Sequence, residues 1–253
     1  VTTADSYLDA TVHARVEILT GDRVDRIAVV GDRAVGVVLA SGVEVPAHRV
    51  VVCAGAVGSP ALLLASGLGG AAVGRNLQNH PGLPVTLHLR DGVDVDRHGL
   101  ATAVTWRAET DVEIVALNHL GPDEPGRAML LVGAMAPTGR GSVTLGADGT
   151  PVVEPVASDQ DRVRLDVGLR RVEELLAHPA FAAIVDRVEV GQAPAGFHHA
   201  TSTCAMGAVV DGRGSVTATA GLAVVDASVF PTIPTTHPYL PTVVLAETLG
   251  AIL

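Results

Sequence analysis

The sequence predicts an α/β (α+β) protein, in which part of a Rossmann-like, nucleotide-binding type of layer flanks a β-sheet domain with helices beside it. Three observations predict this. Val50-Val51-Val52-Cys53-Ala54 is a continuous apolar run followed by Gly55-Ala56-Val57-Gly58, the pattern of a strand buried on both faces that turns straight into a helix. Apolar runs at 83–89, 101–106, 112–117 and 128–135 suit a mostly antiparallel sheet. After 207 the chain returns to short strands and one apolar terminal segment. The expected division is 1–85 and 196–253 as parts of one α/β layer, with 86–195 as the sheet domain between them.

Taken in order, Arg15–Leu19, Arg26–Val30 and Val35–Leu39 read as strands, with Gly21-Asp22 and Gly31-Asp32 as turns and Ser41-Gly42 as a further hairpin signal. After the run at Val50, Ser59 suits a helix N-cap with Pro60 at the first helical position, and Gly67 suits its end. Ser158 with Asp161 reads as a capping box. Leu165, Leu169, Val172 and Leu176 then share one helix face, with Arg162, Asp166, Arg170 and Glu173 turned away. His178-Pro179 ends that helix and a second short one follows. A terminal helix is expected from about Pro241. No internal repeat or low-complexity linker interrupts the order.

Composition narrows the function. At 253 residues and 48% hydrophobic, the chain can bury a sizeable core, but aromatics are only 2%, so that core is built from Val, Leu and Ala. A formal charge of −10 argues against nucleic-acid binding. All 17 basic residues are arginine, a compositional bias rather than chemistry. No apolar run approaches the ~18 residues of a membrane span. Two cysteines, Cys53 and Cys204, stand in apolar contexts that read as buried; no disulfide scaffold is expected, and a reducing cytoplasm fits. The chain begins at Val1 without a charged segment and apolar stretch, so no secretory signal is expected, and a processed or excised segment is.

The chemistry-bearing stretches lie near the end. Phe197-His198-His199-Ala200-Thr201-Ser202-Thr203-Cys204-Ala205-Met206-Gly207 places histidines in a small-residue turn; Val224-Val225-Asp226-Ala227-Ser228-Val229-Phe230-Pro231 and His237 follow. Two imidazoles beside a backbone that can approach a flat cofactor suit removal of a hydride and a proton from an alcohol. His237 precedes Pro238, which biases it toward an extended conformation. His80, His88 and His119 show no metal-ligand spacing, and no metal is expected.

With these residues laid out, the chain resembles the glucose–methanol–choline (GMC) family of flavin oxidoreductases, over nearly its whole length but covering only the second half of a family member. Gly55-Ala56-Val57-Gly58-Ser59-Pro60 through Gly69 looks like the family's second signature, and Val73-Gly74-Arg75-Asn76-Leu77-Gln78-Asn79-His80-Pro81 like the loop after it, with Asn79 where Asp is usual. Pro137-Thr138-Gly139-Arg140-Gly141-Ser142-Val143 and both C-terminal stretches match in the family's order, with Ser202 in place of the usual Gly. The resemblance implies FAD as cofactor and an alcohol as small-molecule substrate. It implies His199 as the base that takes the alcohol proton while hydride passes to flavin N5, in preference to its neighbour His198. His237 then hydrogen-bonds the substrate oxygen. Asp226, with Ala227, approaches the FAD pyrophosphate and ribityl chain through backbone groups, as an anchor rather than a base. Val16 contacts adenine by its backbone, within a strand. Pro238 and Thr242 belong to the helix start facing the flavin. His80, in the family loop, is expected near the cofactor, and Cys204 is read as a buried filler.

The Gly-x-Gly-x-x-Gly turn that receives the FAD pyrophosphate in the family does not follow any strand here. The expectation is therefore an N-terminal FAD-binding chain, cleaved or separately encoded, that completes a heteromer, or else the N-terminal half of one longer polypeptide of which this chain is a fragment. Three alternatives remain at this level: a hydroxynitrile lyase-like protein without net redox, a non-catalytic partner subunit, and a free-standing binding domain.

Overall fold

The computed structural model describes residues 2–9, 12, 14–93, 105–107, 111–118, 120, 124 and 126–253. A short helix, α1 (Thr3–Tyr7), is followed by β1 (Val24–Val30), β2 (Arg33–Leu39), β3 (Glu44–Pro46), β4 (Val50–Val52), α2 (Gly55–Ala65) and β5 (Arg75–Leu77). Next come β6 (Pro81–Leu89), β7 (Thr105–Arg107), β8 (Val112–Leu117), β9 (Arg127–Ala134), β10 (Gly141–Leu145) and β11 (Pro151–Glu154). The chain continues with α3 (Asp159–Leu176), α4 (Pro179–Ile184), β12 (Val185–Val190), β13 (Ala195–Gly196), β14 (Leu222–Val224) and α5 (Tyr239–Gly250).

The β1–β2–β3 meander is antiparallel, and Val30 pairs with Arg33 across the Gly31-Asp32 turn. β4 pairs in parallel with β14, Val50 to Leu222 and Val52 to Val224, which brings residues far apart in sequence into one layer. Ile27, Val52, Leu63, Leu222, Val224 and Leu249 belong to the core of that layer. The central strands form a six-stranded antiparallel sheet, ordered β12-β6-β9-β8-β7 with β13 also on β6. α3 lies on this sheet and buries Leu165 and Val172 against strand residues such as Val112 and Val132. Fully burying each such side chain contributes ~1.5–3 kcal/mol.

α3 begins as its sequence dictates. Ser158 Oγ accepts from Asp161 N at 3.1 Å, and Asp161 Oδ2 accepts from Ser158 N at 2.9 Å. The same carboxylate accepts from Thr138 N at 2.8 Å and Gly139 N at 2.9 Å, fastening the 137–143 segment to the helix start. Burial disfavours its charge, but these backbone donors outweigh burial and hold the carboxyl below its ordinary pKa. His178 breaks the helix and caps α4, accepting from Ala180 N through Nδ1 at 3.2 Å.

The structure corrects several expectations. Arg15–Leu19 forms no strand: Val16 is half exposed and its N–H turns back to Val12 O at 3.0 Å. No described strand pairs with it. Val51 is 43% exposed, so β4 is covered on one face only. Cys53 is exposed; only Cys204 is buried, and both are free. α2 starts at Gly55 rather than after Ser59, so Pro60 lies inside it. Proline is tolerated there because the carbonyl it leaves without a helical partner, that of Ala56, accepts from Thr203 Oγ1 at 2.8 Å. Ser59 does act on the helix start: its Oγ accepts from Ala54 N at 3.0 Å. Gly67 (φ +68°) closes the helix, with Leu68 N donating to Leu63 O at 2.9 Å. α5 starts at Tyr239, two residues before Pro241, which sits in its first turn where its missing N–H has no helical partner to lose. The run at 101–104 and His119 lie outside the described residues.

Candidate active site

The two C-terminal stretches lie side by side. Ser202 N donates to Ala227 O at 3.2 Å, Cys204 N to Ser228 O at 2.8 Å and Met206 N to Val229 O at 2.9 Å. Asp226 locks this pair to α2: its Oδ2 accepts from Gly55 N at 2.9 Å and from Ser59 Oγ, and its Oδ1 accepts from Ser228 N at 2.8 Å. Its carboxylate is fully committed to holding backbone in place. Burial pushes the Cys204 thiol up to about 12, too high for a nucleophile at neutral pH.

Three consecutive residues, Gln78-Asn79-His80, fasten both histidine-bearing segments. The Gln78 backbone pairs with Thr201, donating at 3.2 Å and accepting at 2.9 Å. Its side-chain Oε1 accepts from Ile233 N at 3.3 Å, and its Nε2 donates to Pro231 O at 3.5 Å. Asn79 Oδ1 accepts from His199 N at 2.9 Å. That contact needs only an acceptor, which explains why an amide serves where the family has Asp. The buried His80 ring lies 2.9 Å from His199, Nδ1 to Nδ1, and 3.0 Å from Pro234 O through Nε2.

His199 and His237 come together, with ring centroids 4.8 Å apart, whereas His198 is exposed and is itself in the left-handed region (φ +60°). Phe197 lies 5.4 Å from His199 and 6.3 Å from His237, centroid to centroid. Its ring rests on the paired strand glycines Gly82 and Gly133, where an added Cβ would stand 2.4 and 2.5 Å from ring carbons. His237 Nε2 is 3.2 Å from Oε2 of the buried Glu113 of β8, so the inserted sheet contributes a carboxylate to the site. Burial, reinforced by the neighbouring imidazoles, pushes both His80 and His199 down to about 4, so both are neutral at pH 7. A neutral imidazole can accept a proton; His237 and Glu113 can orient a polar oxygen beside it.

The remaining expected residues are placed as follows. Ala227 follows β14 at the carboxyl end of the parallel pair, the edge at which α/β layers bind ligands. Pro238 is the N-cap of α5, with no side-chain cap and no acid in the first turn. Thr242 spends its hydroxyl on its own helix, Oγ1 donating to Pro238 O at 2.7 Å. An uncapped helix start beside two histidines suits an electron-rich group such as a reduced flavin ring, so the residues present fit part of an FAD site. Val16 is remote from this constellation in sequence and shares none of the contacts above. Among the described residues no cluster of three or more His, Cys, Asp or Glu could hold a metal ion, and no helix is long and apolar enough to cross a membrane. Sequence reasoning placed His80 only near the cofactor and missed Asn79, Glu113 and Phe197; the Asn79-His80-Pro81 triplet was the one visible signal.

The family model for the GMC oxidoreductase N-terminal region matches residues 1–82, and that for the C-terminal region matches residues 137–246. The chain belongs to the GMC oxidoreductase family. An uncharacterized GMC-type oxidoreductase of Rhodococcus erythropolis is 33% identical over all of this chain and 60% of its own length. The 5-(hydroxymethyl)furfural oxidase of Methylovorus sp. is 29% identical over 96% of this chain and 59% of its own. The crystal structure of pyridoxine 4-oxidase from Mesorbium loti superposes with a TM-score of 0.85 at 26% identity, over 100% of this chain and 61% of that one. The chain thus spans about 60% of the length of the relatives it matches. The GMC second signature (55–69) folds as α2 and its following turn, and the loop after it as the Gln78-Asn79-His80 clasp.

Proposed function

We propose that this chain is the C-terminal portion of an FAD-dependent GMC oxidoreductase that oxidises an alcohol, with His199 as the base. The observation that carries the reading is the pairing of a neutral, half-buried His199 with His237 at 4.8 Å, beside an uncapped helix start. FAD, when bound, supplies the hydride acceptor. Neutral His199 takes the hydroxyl proton; His237 spends its Nε2–H on Glu113, so it hydrogen-bonds the same oxygen by donating from Nδ1, as the imidazolium paired with that carboxylate. An apolar cleft of about 610 Å³ opens beside His237 and Phe230, lined also by Leu240, Pro241 and Val244. The names of two relatives suggest 5-(hydroxymethyl)furfural and pyridoxine as the first alcohols to test.

We further propose that FAD is held mostly by polypeptide beyond these residues, because this chain has no phosphate-binding glycine turn and leaves Val51 and the face of α5 around Leu240 and Val244 exposed. That polypeptide is an N-terminal FAD-binding portion, as a separate chain or in one chain with this; a cytoplasmic setting accompanies the reading.

The test is anaerobic reduction of the bound flavin by alcohols. The reading predicts bleaching in the unmodified protein and a ~10²–10⁴-fold slower rate in His199→Ala. Turnover of a cyanohydrin without bleaching would instead identify a lyase, and equal rates in the variant would identify a non-catalytic role for this portion.

A further inference from the structure

We infer that His80 is a positioning residue that fixes His199 in the tautomer with a free Nε2, the form able to accept the proton of a bound alcohol. The inference deepens the reading of His199 as base and rests on it. The argument is one of donors and acceptors. A peptide carbonyl only accepts, so the 3.0 Å contact between His80 Nε2 and Pro234 O requires that Nε2 carry hydrogen. In a neutral ring, His80 Nδ1 is then a bare acceptor. The 2.9 Å contact to His199 Nδ1 therefore requires His199 to donate from Nδ1, which leaves its Nε2 lone pair free. The opposite assignment, with His80 donating from Nδ1 to a bare His199 Nδ1, would set a bare His80 Nε2 against the Pro234 carbonyl, two acceptors with no proton between them.

Every group around the pair is compatible with this. His80 is buried and faces the carbonyls of Pro234 and Met135, together with His199 and, farther off, His237. His199 faces His80, His237 and Phe197, with His198 adjacent in the chain and Glu113 behind His237. No carboxylate touches His199 directly among these, so the His80 nitrogen is what selects its tautomer. Pro234 lies in the segment that carries His237 and is tied down by Gln78, so one loop sets both the orientation of the base and its distance from the second histidine.

The test uses ¹⁵N-histidine-labelled, flavin-loaded protein at pH ~8, above the ordinary imidazole pKa. The expected spectrum shows His199 protonated at Nδ1 and His80 at Nε2. His80→Asn keeps an acceptor near the position of Nδ1 and should retain both the His199 tautomer and most of the rate. His80→Leu should release His199 to the Nε2–H form and lower kcat ~10–100-fold with little change in KM. A wild-type His199 protonated at Nε2 overturns the inference, as does a His80→Leu enzyme with unchanged kcat. If the Leu variant does not fold, the His199 tautomer in the unmodified protein and in His80→Asn still decides. If the unmodified protein oxidises no alcohol, the proposed function falls, while the tautomer measurement judges the His80 assignment separately.

Discussion

Thr203 Oγ1 donates at 2.8 Å to the carbonyl of Ala56, the oxygen that Pro60 leaves without its helical N–H. Both ends of this bond are buried, and it ties the histidine-bearing segment to the first turns of α2. Thr203→Val should therefore cost ~1–3 kcal/mol by leaving a buried carbonyl unsatisfied. In a Pro60→Ala background the restored N–H can take over that carbonyl, so Thr203→Val should cost less there. A thermal-melt double-mutant cycle measures the difference; strict additivity would show that the two residues do not share the acceptor.

Asp226 should behave as a clamp rather than a base. Its two oxygens accept from Gly55 N, Ser59 Oγ and Ser228 N. Asn would turn an NH₂ donor toward one of these donors. Asp226→Asn is expected to lower stability by ~1–3 kcal/mol and to weaken flavin retention. Unchanged melting with unchanged flavin content would rule out the clamp.

Gly133 gives Phe197 its seat. Ala at this position would put a Cβ 2.5 Å from the ring, which must move, and the ring abuts both His199 and His237. Gly133→Ala is expected to lower kcat/KM more than Tm, because displacement of a ring beside reacting groups is felt in the rate before the fold yields. Loss of stability without loss of rate would contradict it.

The histidine pair sets an acid limit on stability. His80 and His199 are held near pKa 4, against about 6.5 in an unfolded chain. Above pH ~6.5 neither state binds these protons and they contribute nothing. Between pH ~6.5 and ~4 the unfolded chain takes up protons that the folded one does not, so stability falls as pH falls. Asp161, held below its ordinary value, titrates beneath that window. Tm should drop on acidification from pH ~7 to ~5, and His199→Gln should flatten the drop. An equal drop in that variant would assign the effect to other groups.

Much of the fold was legible in the sequence because local rules act there without help. The Ser158–Asp161 box, the Gly31-Asp32 and Ser41-Gly42 turns, the Gly67 helix end and the central strands expected at 83–89, 112–117 and 128–135 form where pattern and turn chemistry put them, whereas β12 and β13 of the same sheet were not expected. Local rules failed where a partner distant in sequence decides. Pro60 reads as a helix start until Thr203 is known to donate to the carbonyl it frees, and Arg15–Leu19 reads as a strand although no described strand pairs with it.

The same division holds at the site. The sequence by itself determined the residue types and order of the GMC motifs, and with them the choice of His199 and His237, because motif order survives as linear pattern. Only the tertiary structure decided that His80, Asn79, Glu113 and Phe197 surround those histidines, and that an imidazole from the 78–80 loop rather than a carboxylate meets His199. Hydrogen-bond partnership depends on distances of about 3 Å between atoms more than a hundred residues apart in sequence. Such distances are set by how the parallel β4–β14 pair, the loop at 78–80 and the inserted sheet pack together, and linear spacing carries no record of that packing.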